Sequence, residues 1–102
     1  MLAVLNDTNY FFNILANRYN IRMFENNSNK FQKNYIGECY SLRGEYFLLY
    51  ISVQNGRTSV QVFKIMGNQK ACVFQKSYST VSDKNALSKS TSLFKYLDRI
   101  LY

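Results

Sequence analysis

The middle of the chain alternates apolar and polar residues, and three short turn signals interrupt this alternation. Asn55-Gly56 is the strongest of them, because a two-residue type I′ turn needs positive φ at both positions. Arg43-Gly44 and Gly67-Asn68 stand at similar spacing on either side of it. Alternating runs bounded by such turns are typical of β-hairpins. The pattern therefore predicts four antiparallel strands, over residues 35–42, 45–54, 57–66 and 69–78.

Apolar residues at helical spacing flank these strands on both sides. They predict a short helix over residues 9–19 and a C-terminal helix that buries Leu97. Ser82 can cap this second helix, although the poor helix formers of residues 88–92 also allow a start near Thr91. Residues 21–24 are predicted to form a short strand after the first helix. The predicted fold class is α+β, a four- to five-stranded antiparallel meander with an N-terminal and a C-terminal helix. The length fits a single domain over residues 1–102.

The turns also predict which residues share a face, because two-residue loops fix the register of a hairpin. One face is mainly aliphatic, and we expect the C-terminal helix to cover it: Ile36, Tyr40, Phe47, Leu49, Ile51, Val53, Val60, Val62, Ala71 and Val73. The other face is aromatic and mildly basic, and we expect the N-terminal helix to cover it only in part: Tyr35, Cys39, Tyr46, Leu48, Tyr50, Phe63, Ile65, Cys72 and Phe74, with Gln61, Lys70 and Lys76.

The composition argues against most kinds of catalysis. The chain has no His, the commonest general base and metal ligand. Its two cysteines, Cys39 and Cys72, cannot complete a four-ligand zinc site, and the predicted register separates them by roughly 14 Å, beyond disulfide reach. No glycine-rich phosphate loop is present. We therefore predict a protein that is not an enzyme, with no catalytic residue, no metal and no cofactor.

No apolar run approaches the roughly 18 residues that a membrane span needs. No basic segment precedes the apolar residues at the start of the sequence, as a secretory signal would require. Two unpaired thiols are ordinary in a reducing compartment. We therefore expect no membrane association and an intracellular location, the host cytoplasm if the protein is viral.

The net charge of +7 is unevenly distributed, since no acidic residue occurs between Tyr46 and Ser82. Such an excess attracts polyanions or acidic partners, although the Lys- and Asn-rich codon usage of an AT-rich genome explains it equally well. The candidate binding residues are the aromatic and basic side chains of the sheet: Tyr46, Tyr50, Phe63, Phe74, Arg57, Lys64, Lys70 and Lys76.

Three functions are compatible with these residues. The favoured one is binding of a protein or peptide through the aromatic sheet face, a groove or a sheet edge, since an open edge accepts an extended peptide. The second is sequence-independent nucleic-acid binding, because basic residues interleaved with rings can hold phosphates and stack bases. The third is a structural homo-oligomer that buries the aromatic face.

The composition as a whole resembles that of small reading frames of AT-rich viruses, including filamentous viruses of archaea. The shared features are a length of about 100 residues, abundant Asn, Tyr, Lys and Ile, and the absence of Trp, His and Pro. The resemblance covers no motif and implies no particular fold or site. It implies a small, non-catalytic interaction protein.

Overall fold

The computed structural model describes residues 12–54, 57–79 and 91–102. Five strands form one antiparallel sheet in which each strand lies beside its neighbour in sequence. The elements, in chain order, are α1 (12–19), β1 (Met23–Glu25), β2 (Gln32–Tyr40), β3 (Tyr46–Gln54), β4 (Arg57–Met66), β5 (Gln69–Ser79) and α2 (Thr91–Leu101). The prediction of an α+β meander with a helix before and after it is confirmed.

The central hairpin has the predicted register. Ile51 lies opposite Val60 and Leu49 lies opposite Val62. All four side chains are fully buried on one face of the sheet, which we call the inner face. The predicted turn between these strands, at residues 55–56, lies outside the described residues.

Both helices pack on the inner face. α2 contributes Leu93, Leu97 and Leu101, which recur every four residues and are buried in the same cluster as the strands. α1 contributes Leu15 and Tyr19 to this cluster. The prediction that the C-terminal helix covers the aliphatic face is confirmed. The expectation that the first helix partly covers the opposite face is wrong, because α1 lies beside α2.

A polar cluster joins the two helices. The Tyr19 hydroxyl donates to Oδ1 of Asp98 at 2.8 Å and to the carbonyl of Phe94 at 3.1 Å. The Arg18 guanidinium pairs with Oδ2 of the same carboxylate at 3.0 Å. Burial and the hydrogen bond to Asp98 hold the pKa of Tyr19 well above its usual value. These contacts hold α1, at the start of the described chain, against α2, at its end, on the inner face of the sheet.

The first hairpin differs from the prediction by one residue. Its loop has three residues, not two: the Ser41 N–H donates to the Glu45 carbonyl at 2.9 Å, and the Gly44 N–H donates to the Ser41 carbonyl at 2.9 Å. Gly44 has a φ of 85°, as expected for the last residue of a three-residue loop that ends in a bulge. The extra loop residue shifts the whole of β2 by one position, so Cys39 lies opposite Phe47.

This shift reverses the predicted faces of β2, because side chains alternate along a strand. Tyr35 and Cys39 lie on the inner face, whereas Ile36 and Tyr40 lie on the opposite face, which we call the outer face. Tyr35 packs edge-on against Phe12 of α1, with ring centroids 4.9 Å apart.

The last hairpin begins in the predicted register and then departs from it. Phe63 lies opposite Cys72 as predicted, but a β-bulge follows, and Val62 lies opposite Phe74 instead of Val73. The bulge turns Phe74 to the inner face, where its ring stacks on Tyr96 of α2 at 5.1 Å. It also leaves Val73 exposed.

The predicted short strand over residues 21–24 is present as β1. It pairs with the edge of β2 that faces away from β3. The edges of the described sheet are therefore β1 and β5. Gly37 permits this close pairing, since a Cβ atom there would lie 2.6 Å from Sδ of Met23 and 2.9 Å from Cγ2 of Ile21.

Candidate interaction surface

The outer face carries two bands of different chemistry. Toward the Gly44 and Gly67 turns, the strands place six apolar and aromatic side chains side by side, which we call the aromatic patch: Tyr40, Tyr46, Leu48, Tyr50, Phe63 and Ile65. Toward the opposite end, they place a polar band: Gln32, Asn34, Ser52, Gln54, Arg57, Ser59 and Ser77. No residue of either band belongs to the described hydrophobic core.

The rings of the aromatic patch contact one another in pairs. Tyr40 stacks on its cross-strand neighbour Tyr46 with centroids 5.0 Å apart. Tyr50 meets Phe63 edge-to-face at 5.2 Å. Such pairs hold the rings in fixed orientations and add roughly 0.5–1.5 kcal/mol beyond the area they bury. The patch is therefore an ordered surface. It is also accessible to solvent, most of all at Tyr40, which is 62% exposed.

One cation and one anion border the patch. The Lys70 ammonium lies 4.8 Å from the ring centroid of Phe63 and 5.6 Å from that of Tyr50. On the other side, the Tyr46 hydroxyl donates to Oε1 of Glu38 at 2.9 Å. This hydrogen bond, to a carboxylate that prefers a protonated donor, raises the pKa of Tyr46 to about 12. The centre of the patch is apolar and its charges lie at the margin.

A shallow groove of about 480 Å³ adjoins the patch at the β1 edge. Phe24 and Ile36, which are cross-strand neighbours on the outer face, form its apolar wall. Arg22 and Glu38 line it with opposite charges. Phe24 is 65% exposed, so the groove extends the apolar surface beyond the patch toward the edge of the sheet.

The polar band is held by hydrogen bonds between its own side chains. The Ser52 hydroxyl donates to Oδ1 of Asn34 at 2.9 Å, and the Ser59 and Ser77 hydroxyls lie 3.4 Å apart. Ser52 and Ser59 also line a cavity of about 320 Å³ together with Arg57. Several polar groups of this band are thus paired with one another, and the band presents little apolar area.

The structure brings together four of the eight predicted binding residues. Tyr46, Tyr50, Phe63 and Lys70 meet at the aromatic patch. Arg57 is on the same face but eight residues along β4 from the position opposite Lys70, which corresponds to roughly 26 Å.

The other three predicted residues lie on the inner face. Phe74 and Lys76 are turned there by the bulge in β5, which the prediction lacked. Lys64 is also on the inner side, where its ammonium pairs with Oε2 of Glu45 at 2.8 Å. The prediction that Phe74 and Lys76 share a face with Tyr50 is wrong, and Lys64, a candidate binding residue, is not on that face either.

Sequence reasoning missed Tyr40 and Ile36, which belong to the outer face. The signal that points to them is Gly44, because a glycine is also suited to the third position of a three-residue hairpin loop. The loop is further held by Ser41, whose Oγ accepts hydrogen bonds from the N–H groups of Arg43 and Glu45.

The two cysteines lie on opposite faces, so the expectation that they share a face is wrong. Cys39 is buried on the inner face, and burial raises the pKa of its thiol to about 12. Cys72 is exposed on the outer face. Among residues 12–54, 57–79 and 91–102, no group of three or more Cys, Asp or Glu side chains is placed to hold a metal ion.

Within the described part of the chain, no helix has the length and apolar character required to cross a bilayer. Comparison of the sequence with protein-family models, with curated proteins and with solved structures found no match.

Proposed function

We propose that this chain is a non-enzymatic binding protein that recognises another protein through the aromatic patch. One observation carries the proposal: both helices pack on the inner face, so the rings of Tyr46, Tyr50 and Phe63 lie on a sheet face that no described element covers. A contiguous apolar surface of this kind on a folded domain is the usual mark of a protein interface.

The layout of the patch is that of an interface centre. Tyrosine is among the residues that contribute most to binding at protein interfaces, because it buries a large rigid area and still offers a hydroxyl. Glu38 and Lys70 stand at the margin, where charges select a partner by complementarity. The patch extends over three adjacent strands, roughly 10 Å across them and roughly 13 Å along them. It therefore supplies the central contacts, and the groove beside Phe24 enlarges the contact area.

Nucleic-acid binding is the alternative, and the positions of the cations favour it less. Binding without sequence preference depends on several Lys or Arg side chains that follow the phosphate backbone past stacked rings. Here Lys70 borders the rings, whereas Arg57 lies roughly 26 Å from Lys70 along the sheet, so the two cations do not form one track. Lys64 is on the other side of the sheet and is paired with Glu45.

Affinity capture with a matched pair of variants tests the proposal. Tyr50→Ala/Phe63→Ala removes two rings from the patch, and Ser52→Ala/Ser59→Ala changes the same two strands in the polar band. We expect the first variant to lose a specific partner at least tenfold by quantitative mass spectrometry, and the second to retain it. Circular dichroism establishes that both variants are folded. An unchanged set of captured proteins with the folded first variant would refute the proposal.

Two further measurements separate the alternatives. A gel shift with single- and double-stranded DNA at 50 mM and 200 mM salt reveals nucleic-acid binding, which weakens steeply with salt if phosphates are the ligand. Sedimentation at two protein concentrations reveals self-association. If Tyr50→Ala/Phe63→Ala abolishes DNA binding and not partner capture, the patch binds nucleic acid. If it abolishes dimer formation instead, the patch is the contact between two copies of the chain.

A further inference from the structure

A second groove, separate from the aromatic patch, runs between α2 and the edge of β5 that faces away from β4. It has a volume of about 480 Å³. Its lining comes from the bulged part of β5 and from one side of the helix: Val73, Phe74, Ser92, Lys95, Tyr96 and Arg99. It lies on the inner side of the sheet, at the opposite edge from β1.

The floor of this groove is aromatic. The β5 bulge turns Phe74 toward α2, where its ring stacks on Tyr96 at 5.1 Å with an interplanar angle of 28°. The same bulge leaves Val73 exposed beside it. Apolar side chains are thus available directly next to a strand edge.

The wall of this groove is positively charged. Lys95 and Arg99 lie one helical turn apart on α2, and both are exposed. The Arg99 guanidinium rests over the Tyr96 ring at 5.4 Å. None of the described residues that line the groove is acidic, and Asp98, the acidic residue of α2, is engaged by Arg18 of α1 on another side of the helix.

The strand edge beside the groove is open in the described sheet, where β5 is the terminal strand. Such an edge offers backbone N–H and C=O groups to an incoming extended chain. The side chains of such an added strand point alternately to the two faces of the sheet, and those on the inner face lie toward α2, next to Lys95 and Arg99. Carboxylate side chains at these positions complement Lys95 and Arg99.

We propose that β5 and α2 together form a docking site for an extended acidic peptide. The peptide adds a sixth strand to the β5 edge and places its carboxylates against Lys95 and Arg99. Nucleic acid fits this groove less well, because the Phe74 and Tyr96 rings face each other instead of presenting free faces to bases, and the described lining of the groove contains just two cations.

Fluorescence anisotropy with a labelled octapeptide of alternating Glu and Val tests the site. We expect saturable binding at low salt, and at least tenfold weaker binding to Lys95→Glu/Arg99→Glu. The control Lys30→Glu/Arg57→Glu makes the same change in net charge at exposed positions away from the groove, and we expect less than a threefold effect. Lys95→Gln/Arg99→Gln serves as a second variant if the charge reversal unfolds the protein.

Further probes separate strand addition from simple charge attraction. We expect the same peptide with N-methylated backbone amides to bind at least tenfold more weakly, and an octapeptide of alternating Lys and Val to show no saturable binding. Equal effects of the groove and control variants, or equal binding of the N-methylated peptide, would overturn the proposal. So would a single-stranded oligonucleotide that binds through Lys95 and Arg99 when the acidic peptide does not. Tyr50→Ala/Phe63→Ala leaves this site intact, so failure here is distinguishable from failure of the aromatic patch.

Discussion

Leu48 and Leu49 offer a direct test of the two-faced sheet, because they are consecutive residues of one type on one strand. Leu49 is fully buried under the helices, whereas Leu48 is partly buried on the outer face. Both replacements are Leu→Ala at adjacent positions of one strand, so the difference between the two variants reports how the two side chains are packed and buried.

The expected magnitudes follow from this burial. Leu49→Ala removes a sealed side chain and leaves a cavity, which costs about 2–5 kcal/mol of the free energy of unfolding. Leu48→Ala opens a space that water fills, so only part of the transfer free energy of a Leu side chain is lost, about 1 kcal/mol. In a domain of about 100 residues, where 1 kcal/mol corresponds to roughly 4–8 °C, Leu49→Ala lowers Tm by about 8–40 °C and Leu48→Ala by about 4–8 °C.

Urea unfolding, followed by far-UV circular dichroism and by tyrosine fluorescence, gives both free energies. The chain has no Trp, so the tyrosine signal is not masked. Equal losses for the two variants would refute the inference that the outer face is open. If the loss for Leu48→Ala falls when the protein is diluted tenfold, a second copy of the chain covers that face.

Three other predictions follow from single contacts. Gly37→Ala forces a Cβ against β1 and is expected to cost about 1–3 kcal/mol by urea unfolding and to increase hydrogen exchange in residues 23–25; an unchanged stability would mean that β1 is not held there. A thiol reagent at pH 8 is expected to modify Cys72 rapidly, and Cys39, whose thiol is buried and has a raised pKa, only after unfolding; two fast equivalents in the native protein would contradict this placement. The absorbance at 295 nm is expected to titrate Tyr46 near pH 12, and Glu38→Gln to lower that pKa, with Tyr46→Phe identifying the step. Because the pKa of Tyr46 is raised in the folded state, this contact stabilises the fold below about pH 10 and is lost as the pH rises toward 12; an unchanged pKa in Glu38→Gln would rule out the hydrogen bond as its cause.

The central hairpin was predictable because its signals are local and agree with one another. A run of alternating residues fixes which side chains share a face, and a tight turn fixes the register of its two strands. The pairing of Ile51 with Val60 follows from those two facts alone. The C-terminal helix was predictable for a similar reason, since Leu93, Leu97 and Leu101 recur at one helical turn.

The composition of the aromatic patch was only partly predictable. Loop length at residues 41–45 determines the face of every side chain in β2, and an Arg-Gly pair is compatible with either two or three loop residues. The bulge at Val73 has no local signal at all, because its benefit is tertiary: it brings Phe74 onto Tyr96 of a helix more than 20 residues away in sequence. Tyr50 and Phe63 were placed correctly because they belong to the strands whose register the sequence determines.

The junction between α1 and α2 has a consequence for the order of folding. α1 is short, and an isolated helix of this length is not stable in water. Its partners for Arg18 and Tyr19 are on α2, about 80 residues later in the chain. During synthesis, the strands can form hairpins from local contacts. The contacts between α1 and α2 close a loop of about 80 residues, and they can form only once α2 has been synthesised. Until α2 has been synthesised, the inner face of any sheet that has already formed lacks one of its two covering helices, so its apolar side chains are open to a chaperone or an early partner.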